Sequence, residues 1–445
     1  KATKETNRKL RMGDIYLVDS GGQYEFGTTD VTRTISLDNN QLHPWVTWSS
    51  FHRGVSHSEH GISDINQECS SQDEKYPTIM SELSKNGYRV GVFGSMHSGR
   101  VSITDFDKYE FFVPEAFSSH FNCKPKSLTG FQKLNLYMSK SSARVVSKEL
   151  PKIKFIFEAF VSYVNHIYKF RSLFCVIKQL FSEVFSPWKK SRRRIVQSDI
   201  LFDIYMNLLY KHKPDYSNFF TNHLASSMHR YWEAAYPEDF NGKNKQTTDW
   251  IKTYENEIDF AMSIVEKQLS KLLDFDEKNN YEIWVCTSMG QAPVLNYEPI
   301  KNQLYISDIK KLVNFLGLDN RNFENKPAMM PRWTLKSSKK NIKALSKAIE
   351  KLSIDGNSIE TMIEENSISL KIWYINKIPK VKFDNIDINL KDIGFELVEV
   401  KDQSGSSAYH IPEGVLLIFG NDSDRYKNEE IIPTHAIKKL IKSSY

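Results

Sequence analysis

Cysteine is scarce in this sequence, and the few cysteines are not spaced as in zinc sites or disulfide-stapled domains. The chain has four cysteines among 445 residues, and no two of them form a CxxC pair. A structural zinc site and a disulfide framework are therefore not expected. Because widely separated cysteines suit a reducing environment, the sequence predicts a cytoplasmic protein.

Long apolar runs, internal repeats and low-complexity tracts are also missing. No run approaches the ~20 apolar residues that a transmembrane helix needs, so no transmembrane segment is expected. The net charge is only +6, from 60 basic and 54 acidic residues. Since these charges are dispersed, we do not expect a nucleic-acid partner. The one dense basic run, "WKKSRRR" at residues 188–194, predicts a solvated loop or helix end, with a phosphate- or membrane-contacting patch as the alternative.

What the sequence does contain is an alternation of helices and apolar strands. In "PTIMSELSKNGYRVGVFGS", residues 77–95, Pro77 opens a helix, Gly87 ends it, and a buried strand follows. Further buried strands are predicted in "YEIWVCTSMG", residues 281–290, and "GVLLIFG", residues 414–420. This order predicts an α/β fold with a mostly parallel sheet flanked by helices.

Two regions depart from that alternation. Residues 140–210 are predicted to be a helical insertion, with an apolar, phenylalanine-rich face at helical spacing. Such a face is more typical of a helix that packs on a core or a partner than of a membrane anchor, so these helices could mediate homo-oligomerisation. Residues 320–400 carry short alternating runs and predict a small α+β insertion.

The stretch "YLVDSGGQYEFGTTDVTRTI", residues 16–35, resembles the metal-binding hairpin of aminopeptidase P, a creatinase-like metallopeptidase. The resemblance covers residues 9–37 and implies that Asp19 and Asp30 are two of five ligands of a dinuclear, manganese-type centre. Bridging carboxylates in such a centre hold two hard cations and generate a hydroxide nucleophile. The histidine and two glutamates that the family also uses have no counterpart in a matching context later in the chain.

From about residue 41 onward the chain resembles the alkaline phosphatase superfamily, in its phosphodiesterase, nucleotide-pyrophosphatase and sulfatase-like branch. The segments that carry the resemblance occur in the order of that family: "PWVTWSSFHRGVSHSEHGI", "TNHLASSMHRYW", "VCTSMGQAP" and "SSAYHIPEGVLLIFG". The resemblance implies an α/β fold with helices around the sheet. It also implies two zinc-type ions, held by Asp and His, that activate a hydroxyl nucleophile.

Several of that family's functional positions are not retained here. The nucleophile position falls on Pro44, which has no hydroxyl, and a metal-binding Asp falls on Ala225. An Asp-His pair falls on Met289 and Gly290. The residues left as candidates are, for metal, His229 and His410; for substrate binding, His223 and Ser288; and for a relocated nucleophile, Ser49 and Ser50.

These patterns predict a chimeric chain, with an aminopeptidase-P-like fragment at 1–40 and an alkaline-phosphatase-like domain at 41–445. The main hypothesis is a pseudoenzyme that binds an anionic ester, such as a glycan or nucleotide phosphate, with little or no hydrolysis and without a bound ion. One alternative is an active phosphate- or sulfate-ester hydrolase with a rearranged zinc site. Another is an aminopeptidase-P-like metallopeptidase that uses manganese.

Overall fold

A computed structural model describes most of the chain from residue 42 onward. The described ranges are residues 42–65, 67, 69–98, 108–118, 121–141, 153–166, 171–326, 332–364, 366–420 and 432–445, together with the strands at 21–24 and 27–30.

Helices form the larger part of the described secondary structure. They are α1 (Pro44–Arg53), α2 (His57–His60), α3 (Ser70–Lys75), α4 (Ile79–Lys85), α5 (Thr129–Ser141), α6 (Ile153–His166), α7 (Arg171–Phe185), α8 (Arg193–His212), α9 (His223–Ala235), α10 (Thr248–Tyr254), α11 (Glu257–Asn279), α12 (Ile309–Phe315), α13 (Lys339–Ile349) and α14 (Ile437–Lys442).

The strands are short. They are β1 (Gly21–Tyr24), β2 (Gly27–Asp30), β3 (Val90–Phe93), β4 (Phe111–Val113), β5 (Tyr216–Phe219), β6 (Ile283–Cys286), β7 (Gly290–Pro293), β8 (Asn302–Ile306), β9 (Glu324–Lys326), β10 (Arg332–Lys336), β11 (Leu352–Ile354), β12 (Asn357–Ser358), β13 (Glu360–Glu364), β14 (Ser367–Lys371), β15 (Val381–Phe383), β16 (Ile386–Ile388), β17 (Phe395–Glu399), β18 (Ala408–Ile411) and β19 (Leu416–Phe419).

The predicted α/β character is confirmed, and its parallel part is a three-stranded sheet in the order β4-β3-β5. Strand β3 lies at its centre and is buried along its whole length, as the apolar run predicts for a strand covered on both faces. Helix α4 precedes β3, and Gly87 between them has a φ of +89°. That conformation suits glycine at the end of a helix.

The remaining described strands pair antiparallel, so the prediction of a mostly parallel sheet is wrong for them. Strand β19, predicted as a further parallel strand, instead pairs antiparallel with β6, and β18 pairs antiparallel with β7. An apolar run signals that a strand is buried but not which neighbour it pairs with, because that choice is made by distant parts of the chain.

Residues 302–399 surround an apolar core of their own. Two four-stranded antiparallel sheets and the β8-β17 pair pack with α13 around Leu304, Leu345 and Leu370, which are fully buried. The predicted α+β insertion at 320–400 lies within this region, which begins earlier along the chain at β8.

Between residues 140 and 210 the described residues are helical, as predicted. Helix α8 is the central element of this region, and its buried residues Phe202, Ile204 and Met206 pack near Phe93 of the parallel sheet. Helices α6 and α7 both pack against α8. In the ranges that the structure describes, no helix combines the length and the apolar composition needed to cross a bilayer.

Candidate functional site

Helix α9 carries the first of two histidines that meet at the edge of the β7-β18 ribbon. His229 lies at the centre of α9, which packs against both strands of this ribbon. Its ring nitrogen Nδ1 lies 2.7 Å from the carbonyl oxygen of Ala408. Because a carbonyl oxygen can only accept a hydrogen bond, Nδ1 of His229 carries a hydrogen and donates it.

Strand β18 carries the second histidine, which is oriented in the same way. Nδ1 of His410 donates to the carbonyl oxygen of Leu42 at 2.9 Å. Leu42 stands just before α1, whose first helical residue is Pro44 and whose end is marked by Gly54 at a φ of +70°. This hydrogen bond therefore ties the start of α1 to the histidine pair.

The two rings approach each other through their other nitrogens. Nε2 of His229 lies 3.2 Å from Nε2 of His410. Since both Nδ1 atoms are donors to carbonyl oxygens, a neutral form of either ring has a lone pair at Nε2. Two facing lone pairs repel, and a single proton or metal cation shared between them makes the contact attractive. The pair is thus arranged to hold one positive charge.

Burial favours the neutral form of His410. Its pKa lies below the usual value, first because the ring is removed from water and also because His43 lies nearby; the hydrogen bond to Leu42 acts in the opposite direction. A ring that is neutral at physiological pH keeps its Nε2 lone pair available for a cation.

The geometry fits two ligands of a zinc ion but not a complete centre. Zinc–nitrogen bonds of about 2.0–2.1 Å at a tetrahedral angle place two imidazole nitrogens roughly 3.3 Å apart. Zinc-binding histidines also usually donate their second ring nitrogen to a carbonyl or carboxylate, as His229 and His410 do. A catalytic zinc normally has three protein ligands. No group of three or more His, Cys, Asp and Glu side chains suited to a metal occurs in the described ranges.

Gln291 is a residue of this site that the sequence did not reveal. It pairs directly with His410 across the β7-β18 ladder, so the two side chains project from the same face. Its Nε2 donates to the carbonyl oxygen of Ala225, one turn before His229 on α9. Its buried Oε1 has no hydrogen-bond partner among the described residues. The position follows Gly290 in "MGQAP", and a glutamine there gives no signal by itself.

The two substrate-binding candidates lie inside the protein. The hydroxyl of Ser288 is 2.9 Å from that of Thr47 on α1, and both residues are buried. His223 is also buried: it accepts at Nδ1 from the hydroxyl of Thr221 at 2.8 Å and donates from Nε2 to the carbonyl of Ala261 at 3.2 Å. The structure therefore does not bring His223 to the His229–His410 pair.

The candidate nucleophiles are likewise buried in α1. The Ser49 side chain is fully buried, and its hydroxyl has no hydrogen-bond partner among the described residues. The Ser50 hydroxyl lies 2.8 Å from Nε2 of His60. Nδ1 of His60 accepts from the Ile62 N–H, so Nε2 holds the hydrogen and donates it to Ser50. In this arrangement His60 cannot remove a proton from Ser50 as a general base.

A separate buried polar cluster lies beside α1 at the carboxyl end of β3. His52 Nε2 lies 3.1 Å from the hydroxyl of Ser95, and the backbone N–H of His97 donates to Glu115 at 3.2 Å. Burial, followed by the charge of Arg53, lowers the pKa of both histidines to about 3. Burial raises the pKa of Glu115 to about 7. The two histidines are therefore held neutral in the interior, and the carboxyl group of Glu115 titrates near neutral pH.

The candidate ligands at the N-terminus are described least. Asp19 lies outside the described residues. Asp30 is the last residue of β2, and the backbones of β1 and β2 pair antiparallel with Gly21 opposite Asp30. The hairpin expected from the sequence is thus present in the backbone, and the predicted metal roles of Asp19 and Asp30 stay predictions.

Comparison with known proteins finds short matches to one group of enzymes. No family model and no solved structure matches the chain. Xaa-Pro aminopeptidase 2 of Homo sapiens is 51% identical over 51 residues, which are 12% of this chain and 6% of that protein. The Rattus norvegicus protein of the same name is 67% identical over 33 residues, 7% of this chain and 5% of its own length. Xaa-Pro aminopeptidase ApepP of Drosophila melanogaster is 69% identical over 32 residues, again 7% and 5%.

These matches support the resemblance of part of this chain to aminopeptidase P. The chain spans only 5–6% of the length of these relatives. The matches lend no support to the resemblance between residues 41–445 and the alkaline phosphatase superfamily.

Proposed function

We propose that the His229–His410 pair binds an anionic phosphate or sulfate ester, with little or no hydrolysis of the bound ester. The observation that carries the proposal is the 3.2 Å separation of the two Nε2 atoms, each on a ring whose Nδ1 donates to a backbone carbonyl. One bound zinc ion would make the pair a fixed positive centre, and at acid pH a shared proton would do the same. No carboxylate completes a metal-binding group with it among the described residues, so an anionic oxygen would provide the missing negative charge.

The lack of efficient hydrolysis follows from the side chains that surround α1. Pro44, at the position where the resemblance to the alkaline phosphatase superfamily places the nucleophile, has no hydroxyl. The hydroxyls of Thr47 and Ser288 are hydrogen-bonded to each other. The hydroxyl of Ser50 is hydrogen-bonded to His60. A bound zinc ion would supply a Lewis-acid centre, but none of these hydroxyls is positioned to attack an ester held there.

Metal and anion binding test this proposal. Zinc titration of the full chain by calorimetry is expected to give one equivalent, reduced at least tenfold in affinity by His229→Ala or His410→Ala. Inorganic phosphate is expected to bind the wild type, and the same two variants should lose this binding. His57→Ala, at a partly exposed histidine of α2, should change neither zinc binding nor phosphate binding. Two zinc equivalents together with turnover of bis-p-nitrophenyl phosphate, abolished by His229→Ala, would instead establish an active hydrolase.

A second candidate function, metallopeptidase activity of the aminopeptidase P type, is favoured by the matches to Xaa-Pro aminopeptidases. Asp19 and Asp30 would supply two carboxylates to a manganese centre, and oxygen ligands suit that metal. Two ligands alone bind a hard cation weakly, so activity requires further ligands from elsewhere in the chain.

Peptide hydrolysis separates the two candidates. The metallopeptidase proposal predicts manganese-dependent release of the first residue from a peptide that begins Xaa-Pro. Asp19→Asn and Asp30→Asn would abolish this release, and His229→Ala would leave it unchanged. Absence of release at saturating manganese contradicts the metallopeptidase proposal and leaves the His229–His410 proposal untouched.

A further inference from the structure

Helix α6 presents its apolar side to solvent. The exposed large side chains recur at helical spacing and include Phe157, Phe160 and Val164, of which Phe157 is 66% exposed. The side that packs on the protein is more polar, since its buried residues are Ala159, Ser162, Tyr163 and His166. In a typical surface helix the apolar stripe faces the core, so the orientation of α6 is inverted.

Helix α7 also turns its apolar face to solvent, and polar contacts on its inner side hold it in this orientation. Gln179 and Glu183 are buried on its inner side. Gln179 donates to the carbonyl oxygen of Lys189 at 2.7 Å, and Glu183 pairs with Arg193 at 2.6 Å. With these groups held inside, Phe181 and Phe185 face outward at 66% and 84% exposure. Rotation of the helix to bury the phenylalanines would break the ion pair between the buried Glu183 and the half-exposed Arg193.

The segment that contains both helices is strongly basic. Residues 151–194 hold ten lysines and arginines against two glutamates, which leaves 50 basic and 52 acidic residues in the rest of the chain. The net positive charge of the protein therefore comes from this one segment, so the excess charge is less dispersed than predicted. Both glutamates are already paired, Glu183 with Arg193 and Glu158 with Lys133. Lys178 and Lys190 are exposed beside the apolar faces.

The exposed apolar faces and the excess positive charge together indicate what kind of partner binds the surface formed by α6 and α7. Amphipathic helices with aromatic side chains on one side and basic residues around them lie in the interface of membranes that contain anionic lipids. At 14 and 15 residues, α6 and α7 are too short to span a bilayer. A second copy of the chain would bring two strongly positive surfaces together, and like charges oppose such an interface.

We propose that α6 and α7 dock the protein on the surface of a membrane rich in anionic lipids, with their phenylalanines inserted at the level of the headgroups. This proposal does not depend on the function assigned to the His229–His410 pair.

Co-sedimentation of the full chain with lipid vesicles tests the proposal. At 0.1 M NaCl the wild type is expected to sediment with vesicles of phosphatidylcholine that contain 30% phosphatidylserine. With vesicles of phosphatidylcholine alone, at least tenfold less protein should sediment. Raising the salt to 0.5 M is expected to weaken binding, because screening removes the attraction to the headgroups.

Matched variants assign the binding to this surface. Phe157→Ser with Phe181→Ser, and separately Lys178→Glu with Lys190→Glu, should each reduce binding at least tenfold with unchanged circular dichroism. The control Ile378→Ser with Ile386→Ser alters two exposed isoleucines of the α+β region and should bind like the wild type. Equal binding to both vesicle types, or none to either, overturns the proposal. So does a wild-type dimer that ignores vesicles and becomes monomeric in the phenylalanine variant.

Discussion

His229 and His410 are 181 positions apart in the sequence, yet their Nε2 atoms lie 3.2 Å from each other. Each ring is oriented by a hydrogen bond from its Nδ1 to a backbone carbonyl, of Ala408 and Leu42 respectively. The pair is therefore held by main-chain groups from two different segments. A site built in this way keeps its geometry without a bound ion, because the hydrogen bonds do not require one.

Gln291→Glu should convert the two-histidine site into a stronger metal site. Gln291 pairs with His410 across the ladder, and its buried Oε1 accepts no hydrogen bond among the described residues. A carboxylate at this position would supply a third ligand of a type that zinc accepts. Zinc affinity, measured by competition with a chromophoric chelator, is expected to rise at least tenfold.

The matched control for this change is Gln291→Ala, which offers no ligand and should keep the affinity of the wild type. If the glutamate and alanine variants bind zinc equally, Gln291 does not face the histidine pair in solution.

Gly91→Ala should destabilise the parallel sheet. Gly91 lies opposite Phe111 in the β3-β4 register, and a methyl group added at residue 91 would overlap the Phe111 ring. Overpacking of this kind costs about 1–3 kcal/mol. The free energy of unfolding in urea is expected to fall by that amount, and Phe111→Leu in the same chain should restore part of it. If Gly91→Ala alone is as stable as the wild type, the Phe111 ring moves aside at no cost.

Acid should destabilise the protein through His52. In the unfolded chain this histidine takes up a proton below about pH 6.5, whereas in the folded chain burial and Arg53 lower its pKa to about 3. Its contribution to stability is therefore present above pH 6.5 and is lost as the pH falls towards 3. The loss reaches about 1.4 kcal/mol per pH unit.

Urea unfolding at pH 7, 6 and 5 measures that dependence. His52→Gln should flatten the fall in unfolding free energy relative to the wild type, while His57→Gln, near the surface, should leave the slope as it is. An unchanged slope in His52→Gln would mean that His52 has the same pKa in the folded and the unfolded chain.

Arg192→Ala should lower the free energy of unfolding far more than the loss of a surface arginine does. Arg192 forms two hydrogen bonds to Glu257, at 2.6 and 2.9 Å, and the Glu257 side chain is almost fully buried. Removal of one member of a buried ion pair leaves the other charge uncompensated and costs about 3–5 kcal/mol. Arg321→Ala breaks the exposed pair with Asp319 and should change the free energy of unfolding little, because water screens such a pair.

Thermal and urea denaturation of the Arg192 and Arg321 variants provide the comparison. Similar losses in both would show that Glu257 reaches water once its partner is removed.

Local pattern was sufficient to predict several elements of this fold. Helix α4 and strand β3 follow from Pro77, Gly87 and an apolar run, and the helical character of the described residues between 140 and 210 follows from spacing alone. His229 and His410 became candidates for one site only through the resemblance to the alkaline phosphatase superfamily, and their predicted metal roles stay predictions. Gln291 was missed, because a glutamine after a glycine carries no local signature of a ligand.

The sequence by itself determined where helices and buried strands form, because these depend on side-chain periodicity and on the residues that end each element. Tertiary structure alone decided that β19 pairs antiparallel with β6 and that His223 hydrogen-bonds to Thr221 and Ala261. It also decided that α6 and α7 turn their apolar faces outward. An amphipathic helix has two faces whatever its surroundings. On α7 the contacts that Gln179 makes with Lys189, and Glu183 with Arg193, select the face that packs inward.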